Sequence, residues 1–244
     1  MRDYLVFQLY APLVSWGDQA VGQERPTSDH PSRSALLGLL GAALGIARSD
    51  DTQHQQLSDA CHFAVKLYAP GLALRDFHTA QVPPQNKKAK HLFTRKDELS
   101  EPKLGTILSF RSYQQESLSV VAVWLEGSSS YHLTQLQQAL RQPHYHLYLG
   151  RKSAPPAIYL NPLILNAAHF EQVLDQYTVD SCLCGLLKDK LARYYWEQTA
   201  GCETALTATY RVPRYDQPLS RVRWQFISRE EHVMLPAEAN HVLK

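Results

Sequence analysis

"LSVVAVWL", residues 118–125, is the clearest buried strand in the chain. Val120, Val121, Val123 and Trp124 favour a pleated backbone, and the run is apolar at every position but Ser119. Downstream, the turn residues Gly127–Ser130 lead into an amphipathic helix over Tyr131–Arg141, and Ala157–Leu165 supplies another strand. Upstream, His62–Tyr68 and Leu72–Thr79 read as two strands around Ala69-Pro70-Gly71, which predicts a hairpin. Thr52–Ala60 reads as a short helix, Ala11–Pro31 as a long loop rich in turn residues, and Tyr4–Leu9 as the first strand.

Between that loop and the short helix stands "RPTSDHPSRSALLGLLGAALGIAR", residues 25–48, with Ser32 or Ser34 as the expected N-cap. At 100° per residue, Leu36, Leu37, Leu39, Leu40 and Leu44 fall on one side of the helix, and Gly38, Gly41, Ala42 and Gly45 on the other. Each glycine costs about 1 kcal/mol in a helix interior, so the smooth side predicts a close neighbour: a helix, a partner chain or nucleic acid. The elements together give the order βαββαβ, an α+β, ferredoxin-like (RRM-like) palm over residues 1–79 and 113–165. Residues 80–112, with Pro83-Pro84 and three closely spaced lysines, read as an inserted basic arm. Residues 166–244 read as a C-terminal β-rich extension, with a helical patch at Phe170–Tyr177 and a β-ribbon of Leu206–Val212 and Val222–Phe226 around "PRYDQPLS".

The chain has 244 residues, 44% of them hydrophobic, enough to bury a substantial core. Its longest apolar run, Ala35–Ala47, falls short of the roughly 18 residues that a membrane span needs. The N-terminus alternates like a strand and lacks the regions of a signal peptide, so a cytoplasmic location is expected. Four cysteines without a regular framework read as free thiols, and Cys182-Leu-Cys184 has no second pair at zinc spacing, so no metal or cofactor is expected.

A net charge of +2 conceals strong segregation. Residues 81–111, 141–152 and 205–229 together carry +11, leaving −9 on the rest. If these segments meet in space they form a polyanion-binding surface; if they do not, they are solvated basic loops. At the helix N-terminus, Arg25, Ser32, Arg33 and Ser34 are candidate phosphate contacts, with plain capping by the serines the competing reading. "YLGRKS", Tyr148–Ser153, sets Gly150 between an aromatic and a basic pair, so that its backbone can approach phosphates while Arg151 and Lys152 neutralise them. Tyr145, Tyr148 and Trp16 offer stacking surfaces for unpaired bases. His91 beside Lys87, Lys88 and Lys90 offers acid–base groups for metal-free RNA cleavage, whereas His78 reads as satisfying a strand-end hydrogen bond.

"RPTSDHPSRSALLGLLGAALGI", "ALRDFHT", "YLGRKS" and "WQFISRE", with "LVSWG" near the N-terminus, resemble the CasD (Cas-five) family of subunits of the type I-E CRISPR surveillance complex, Cascade. The resemblance runs from Leu13 to Glu230 and is weakest over 166–215. It implies a palm with a thumb-like arm, residues 80–112. It further implies binding of the CRISPR RNA 5′ handle, capping of a filament of CasC subunits and contact with the CasA large subunit, with target DNA only an indirect partner. By motif, Arg25, Ser32, Arg33 and Ser34 would face the handle, and Tyr148, Gly150, Arg151 and Lys152 would form its glycine-rich loop. Lys87, Lys88, Lys90, Arg95 and Arg111 are arm contacts by charge alone. In type I-E systems a separate subunit cleaves the precursor, so the resemblance implies no nuclease; a metal-independent endoribonuclease is the alternative.

Overall fold

The computed structural model describes residues 1–83, 93–100, 103–127, 129–187, 191–197 and 204–236. In chain order the elements are β1 (Arg2–Val14), β2 (Glu24–Arg25), α1 (Arg33–Leu44), α2 (Asp51–Ala60), β3 (Cys61–Ala69) and β4 (Leu72–Val82). There follow α3 (Arg95–Leu99), β5 (Gly105–Leu125), α4 (Leu133–Arg141), β6 (Leu163–Ala167), α5 (Phe170–Gln176), a 3-10 turn (Ser181–Leu186), β7 (Arg193–Glu197), β8 (Tyr210–Ser220) and β9 (Gln225–Met234). Among the described residues the nine strands form one large, mainly antiparallel sheet in the order β6-β1-β5-β3-β7-β9-β8, with β2 and β4 also paired to β5.

The run at 118–125 is the middle of that sheet. Leu5 pairs with Val123 on one side and Phe63 with the same Val123 on the other. Both faces are covered, which explains the missing alternation. Val121 and Val123 point into a core with Phe7, Leu36, Leu40, Leu57 and Leu136 beneath α1, α2 and α4. Leu118, Val120, Ala122 and Trp124 point into a second core with Phe170, Val173 and Leu174 of α5 and Leu183 of the 3-10 turn.

Several expectations are corrected. The predicted β3–β4 hairpin does not form: β4 pairs with the first half of β5, from Leu72↔Gln115 to Val82↔Gly105, and β3 with its second half. β5 is 21 residues long and serves both in turn, with Glu116 at φ +57° between the two halves. The arm is therefore rooted in a two-stranded ribbon, and 105–112 is strand. His78 is mid-strand and exposed rather than at a strand end. The expected loop from Ala11 is strand as far as Val14, and the last palm strand starts at Leu163, six residues later than predicted. "PRYDQPLS" is not a turn but the body of β8; the reversal lies at 221–224. β8 is the sheet edge, where the missing N–H of Pro213 and Pro218 is tolerated.

α1 starts and stops as its sequence dictates. Ser32 caps it, its hydroxyl accepting from the Ala35 N–H, and Gly45 ends it in the left-handed region at φ +79°. The smooth side meets this chain's own side chains. A methyl at Gly41 would lie 3.2 Å from the His54 ring of α2, and one at Gly38 would lie 3.5 Å from the Arg221 guanidinium.

Candidate nucleic-acid interface

The first turn of α1 is fastened to the C-terminal strands by a buried ionic chain. The Arg33 guanidinium donates to both carboxylate oxygens of Glu197, at 2.7 and 2.5 Å, and to the Ser58 carbonyl at 2.6 Å. The Arg33 main-chain N–H donates to Asp216 at 2.8 Å. Asp216 also accepts from Arg229, which donates on to Glu231 at 2.7 Å. Glu231 bonds the buried His30 at 2.9 Å, and His30 bonds Asp29 at 2.6 Å while stacking on Tyr195 at 3.6 Å. Burial alone would push His30 down in pKa, but the two carboxylates outweigh it and hold the imidazole above its ordinary value. Burial pushes Glu231 and Asp29 the other way, yet bonding to His30 brings each down to about 2.

This chain settles two candidates. Arg33 is buried and faces Glu197 rather than solvent, so it is not a surface phosphate contact. The helix N-terminus already holds an anion of its own chain: Asp216 takes one free N–H and Ser32 another.

Above this base lies a cleft of about 660 Å³ floored by Ala35, Gly38, Leu39 and Ala42 of α1. Arg25, Ser32, Ser34, Tyr148, Gly150 and Arg151 of the sequence candidates all line it. The loop 148–153 is docked on the end of β1, where Ser15 N–H donates to the Leu149 carbonyl at 3.1 Å. Gly150 has φ +90°, and a Cβ there would lie 1.7 Å from the Ser15 carbonyl oxygen, so this glycine serves chain-to-chain approach first. Arg151 donates to the carbonyls of Ser112 and Arg25 and lies 4.6 Å over the Tyr113 ring. Arg111 is the Cα partner of Arg25 across the β2–β5 pairing. The basic segment 81–111 thus meets the segment 141–152 at its last residue.

The segment 205–229 closes the opposite side with Arg214, Tyr215, Arg221 and Trp224. Local reading missed these residues; the charge imbalance of the segment was the available signal. Tyr148 and Trp224 are 42% and 59% exposed, whereas Trp16 lines the cleft but is almost wholly buried, its body packed in the core. Tyr145 and Lys152 are exposed but do not line the cleft. Arg95 lies on α3, bonded to Glu98 and to the Gln81 carbonyl. Lys87, Lys88, Lys90 and His91 lie outside the described residues. Cys182 and Cys184 are exposed on the 3-10 turn, and among the described residues no group of three or more His, Cys, Asp or Glu could hold a metal. Nor is any helix among them long and apolar enough to cross a membrane.

The family model described as CRISPR-associated protein (Cas_Cas5) matches residues 4–231. The chain belongs to this family. Within the Cas_Cas5 family it is 31% identical over 246 residues to the CRISPR system Cascade subunit CasD of Escherichia coli (strain K12), covering 96% of each chain. Its fold is similar to a chain of a solved CRISPR RNA-guided surveillance complex, with a TM-score of 0.64 at 25% identity over 96% of this chain and 92% of that one. A crystal structure titled as a Cas protein shares the fold, with a TM-score of 0.58 at 22% identity over 96% and 94% of the two chains. The family resemblance read from the motifs therefore holds over residues 4–231, including the segment 166–215 where the motifs are silent.

Proposed function

We propose that this chain is a non-catalytic RNA-binding subunit of a type I-E CRISPR Cascade complex. It holds the 5′ handle of the CRISPR RNA and caps the backbone filament in antiviral defence. One observation carries the reading: Arg25, Arg151 and Arg221 converge on one cleft beside the exposed Tyr148, and among the described residues each is bonded to main-chain carbonyls and to no carboxylate. Cations left without internal counter-ions neutralise phosphates, and aromatic faces take the splayed bases of a single strand.

The ferredoxin-like palm is part of the same proposal. It is supported by the order β6-β1-β5-β3, with α1 linking β1 towards β3 and α4 linking β5 to β6 on a shared core face. Residues 1–79 and 113–165 would be this palm and 80–112 its thumb-like arm, directed at the CasC filament, with CasA as the other protein neighbour. Target DNA is reached through those subunits, and the complex works in the cytoplasm.

Photo-crosslinking of the assembled complex with handle RNA tests the reading. Crosslinked peptides containing Arg25 or Tyr148 are expected; crosslinks confined to other faces contradict it. Incubation with repeat RNA in EDTA is the companion experiment. Cleavage abolished by His91→Ala would make the chain an endoribonuclease instead.

A further inference from the structure

The turn between β8 and β9 is built with unusual care for an exposed reversal. Ser220 hydroxyl, Arg221 N–H and Val222 N–H all donate to the carboxylate of Asp51, at 2.6, 2.8 and 3.1 Å, so the first residue of α2 fixes the turn. From it the Arg221 side chain folds back over α1, donating to the Ser34 carbonyl at 2.8 Å and lying in the space left by Gly38. Arg48, just beyond α1, is held 5.1 Å over the ring of Trp224, which takes the left-handed φ of +56°. Arg221 and Trp224 line the hairpin end of the cleft, and Arg48 stands beside it over the Trp224 ring.

The Asp51 carboxylate is spent on the main chain and the Ser220 hydroxyl of the turn, and reaches neither guanidinium. Among the described residues no carboxylate lies within 4.0 Å of either guanidinium. Burial and the neighbouring Arg48 both push the Arg221 pKa down, and of the groups acting on it only Tyr148 opposes them. A half-buried guanidinium beside a second cation is unfavourable unless a counter-charge arrives from outside. Nearby, Arg33 and Arg229 show what the fold does when a cation is structural: each has a carboxylate within 2.7 Å. The carbonyl of Ser34 and the gap at Gly38 orient Arg221 without neutralising it, the arrangement of a receptor rather than of a brace.

We propose that Arg221 and Arg48 form a subsite for one phosphodiester group of single-stranded nucleic acid at the hairpin end of the cleft. Trp224 positions Arg48, and Asp51 and Gly38 position Arg221. The subsite rests on the reading of the cleft as an RNA site and extends it to Arg48 and the reversal at 221–224.

The test is the salt dependence of binding between the full-length chain and a synthetic single-stranded RNA with the sequence of a type I-E CRISPR RNA 5′ handle. For single strands the slope of log K against log salt changes by about 0.7 for each phosphate contact. Arg221→Gln should weaken binding about tenfold at fixed salt and flatten the slope by that amount, whereas Arg221→Lys should keep the slope. Arg48→Gln changes an exposed side chain, and it carries the test if Arg221→Gln does not fold; it too should flatten the slope. Binding by the wild-type chain with an unchanged slope in these variants overturns the subsite and leaves the cleft reading standing. No binding by the wild-type chain at any salt overturns the cleft reading itself.

Discussion

Two sets of arginines surround the first turn of α1, and the chain treats them in opposite ways. Arg33 and Arg229 below it are buried against Glu197, Asp216 and Glu231, with every ionic partner supplied from within. Arg25, Arg151 and Arg221 above it are bonded to carbonyls of Gly22, Glu24, Arg25, Ser112 and Ser34. A carbonyl orients a guanidinium without compensating its charge, so among the described residues the lower set braces the fold and the upper set is the one that the proposed RNA contact would neutralise. Charge alone does not separate the two; counter-ion supply does.

The sharpest way to break the comparison is at its buried half. Arg33→Met leaves the buried Glu197 carboxylate without its guanidinium partner, and should cost about 3–5 kcal/mol in chemical denaturation. Adding Glu197→Gln should recover part of that loss; an equal cost in both variants would mean that the pair is not the brace. Next comes Gly150→Ala, where a Cβ would collide with the Ser15 carbonyl. It should destabilise by about 1–3 kcal/mol and weaken handle binding together, because the loop and the cleft share that contact.

Acid should attack the ionic chain of the lower set. Glu231 and Asp29 have folded pKa values brought down to about 2, so the stability they contribute is complete above the ordinary carboxylate range. It is lost as pH falls towards 2, on the order of a few kcal/mol. His30 has the opposite sign. Its folded pKa is raised, so its contribution is complete below about 6.5 and is lost as pH rises through the folded value. Denaturation midpoints measured from pH 3 to 9 should therefore fall at both ends, and a flat profile below pH 5 would contradict the ionic chain. The smallest effect on folding belongs to the upper set: Tyr148→Ala should leave the midpoint unchanged while handle affinity falls by about 1–3 kcal/mol, read by equilibrium titration.

What was legible in the sequence was local or compositional. The strand at 118–125, the leucine and glycine sides of α1 and the segregated charge all survive in the structure. Pairing partners were not legible. Ala69-Pro70-Gly71 looks like a hairpin turn because nothing local reveals that β5 is long enough to pair β3 and β4 in succession. Pro213 and Pro218 look like turn residues because edge position is a property of the sheet, not of the segment. Arg33 looks like a solvent-facing cation among serines because Glu197 lies 164 residues away. Arg221 and Trp224 were missed for the same reason: they reach the cleft only through the docking of β8 against α1 and α2.

Thermal denaturation with and without handle RNA tests the division between the two sets most directly, since a ligand bound only by the folded state raises Tm. The account predicts that handle RNA raises the Tm of the wild-type chain and of Arg95→Gln, and that the rise is lost in an Arg25→Gln/Tyr148→Ala double variant with an unchanged RNA-free Tm. A rise of equal size in that double variant would contradict it.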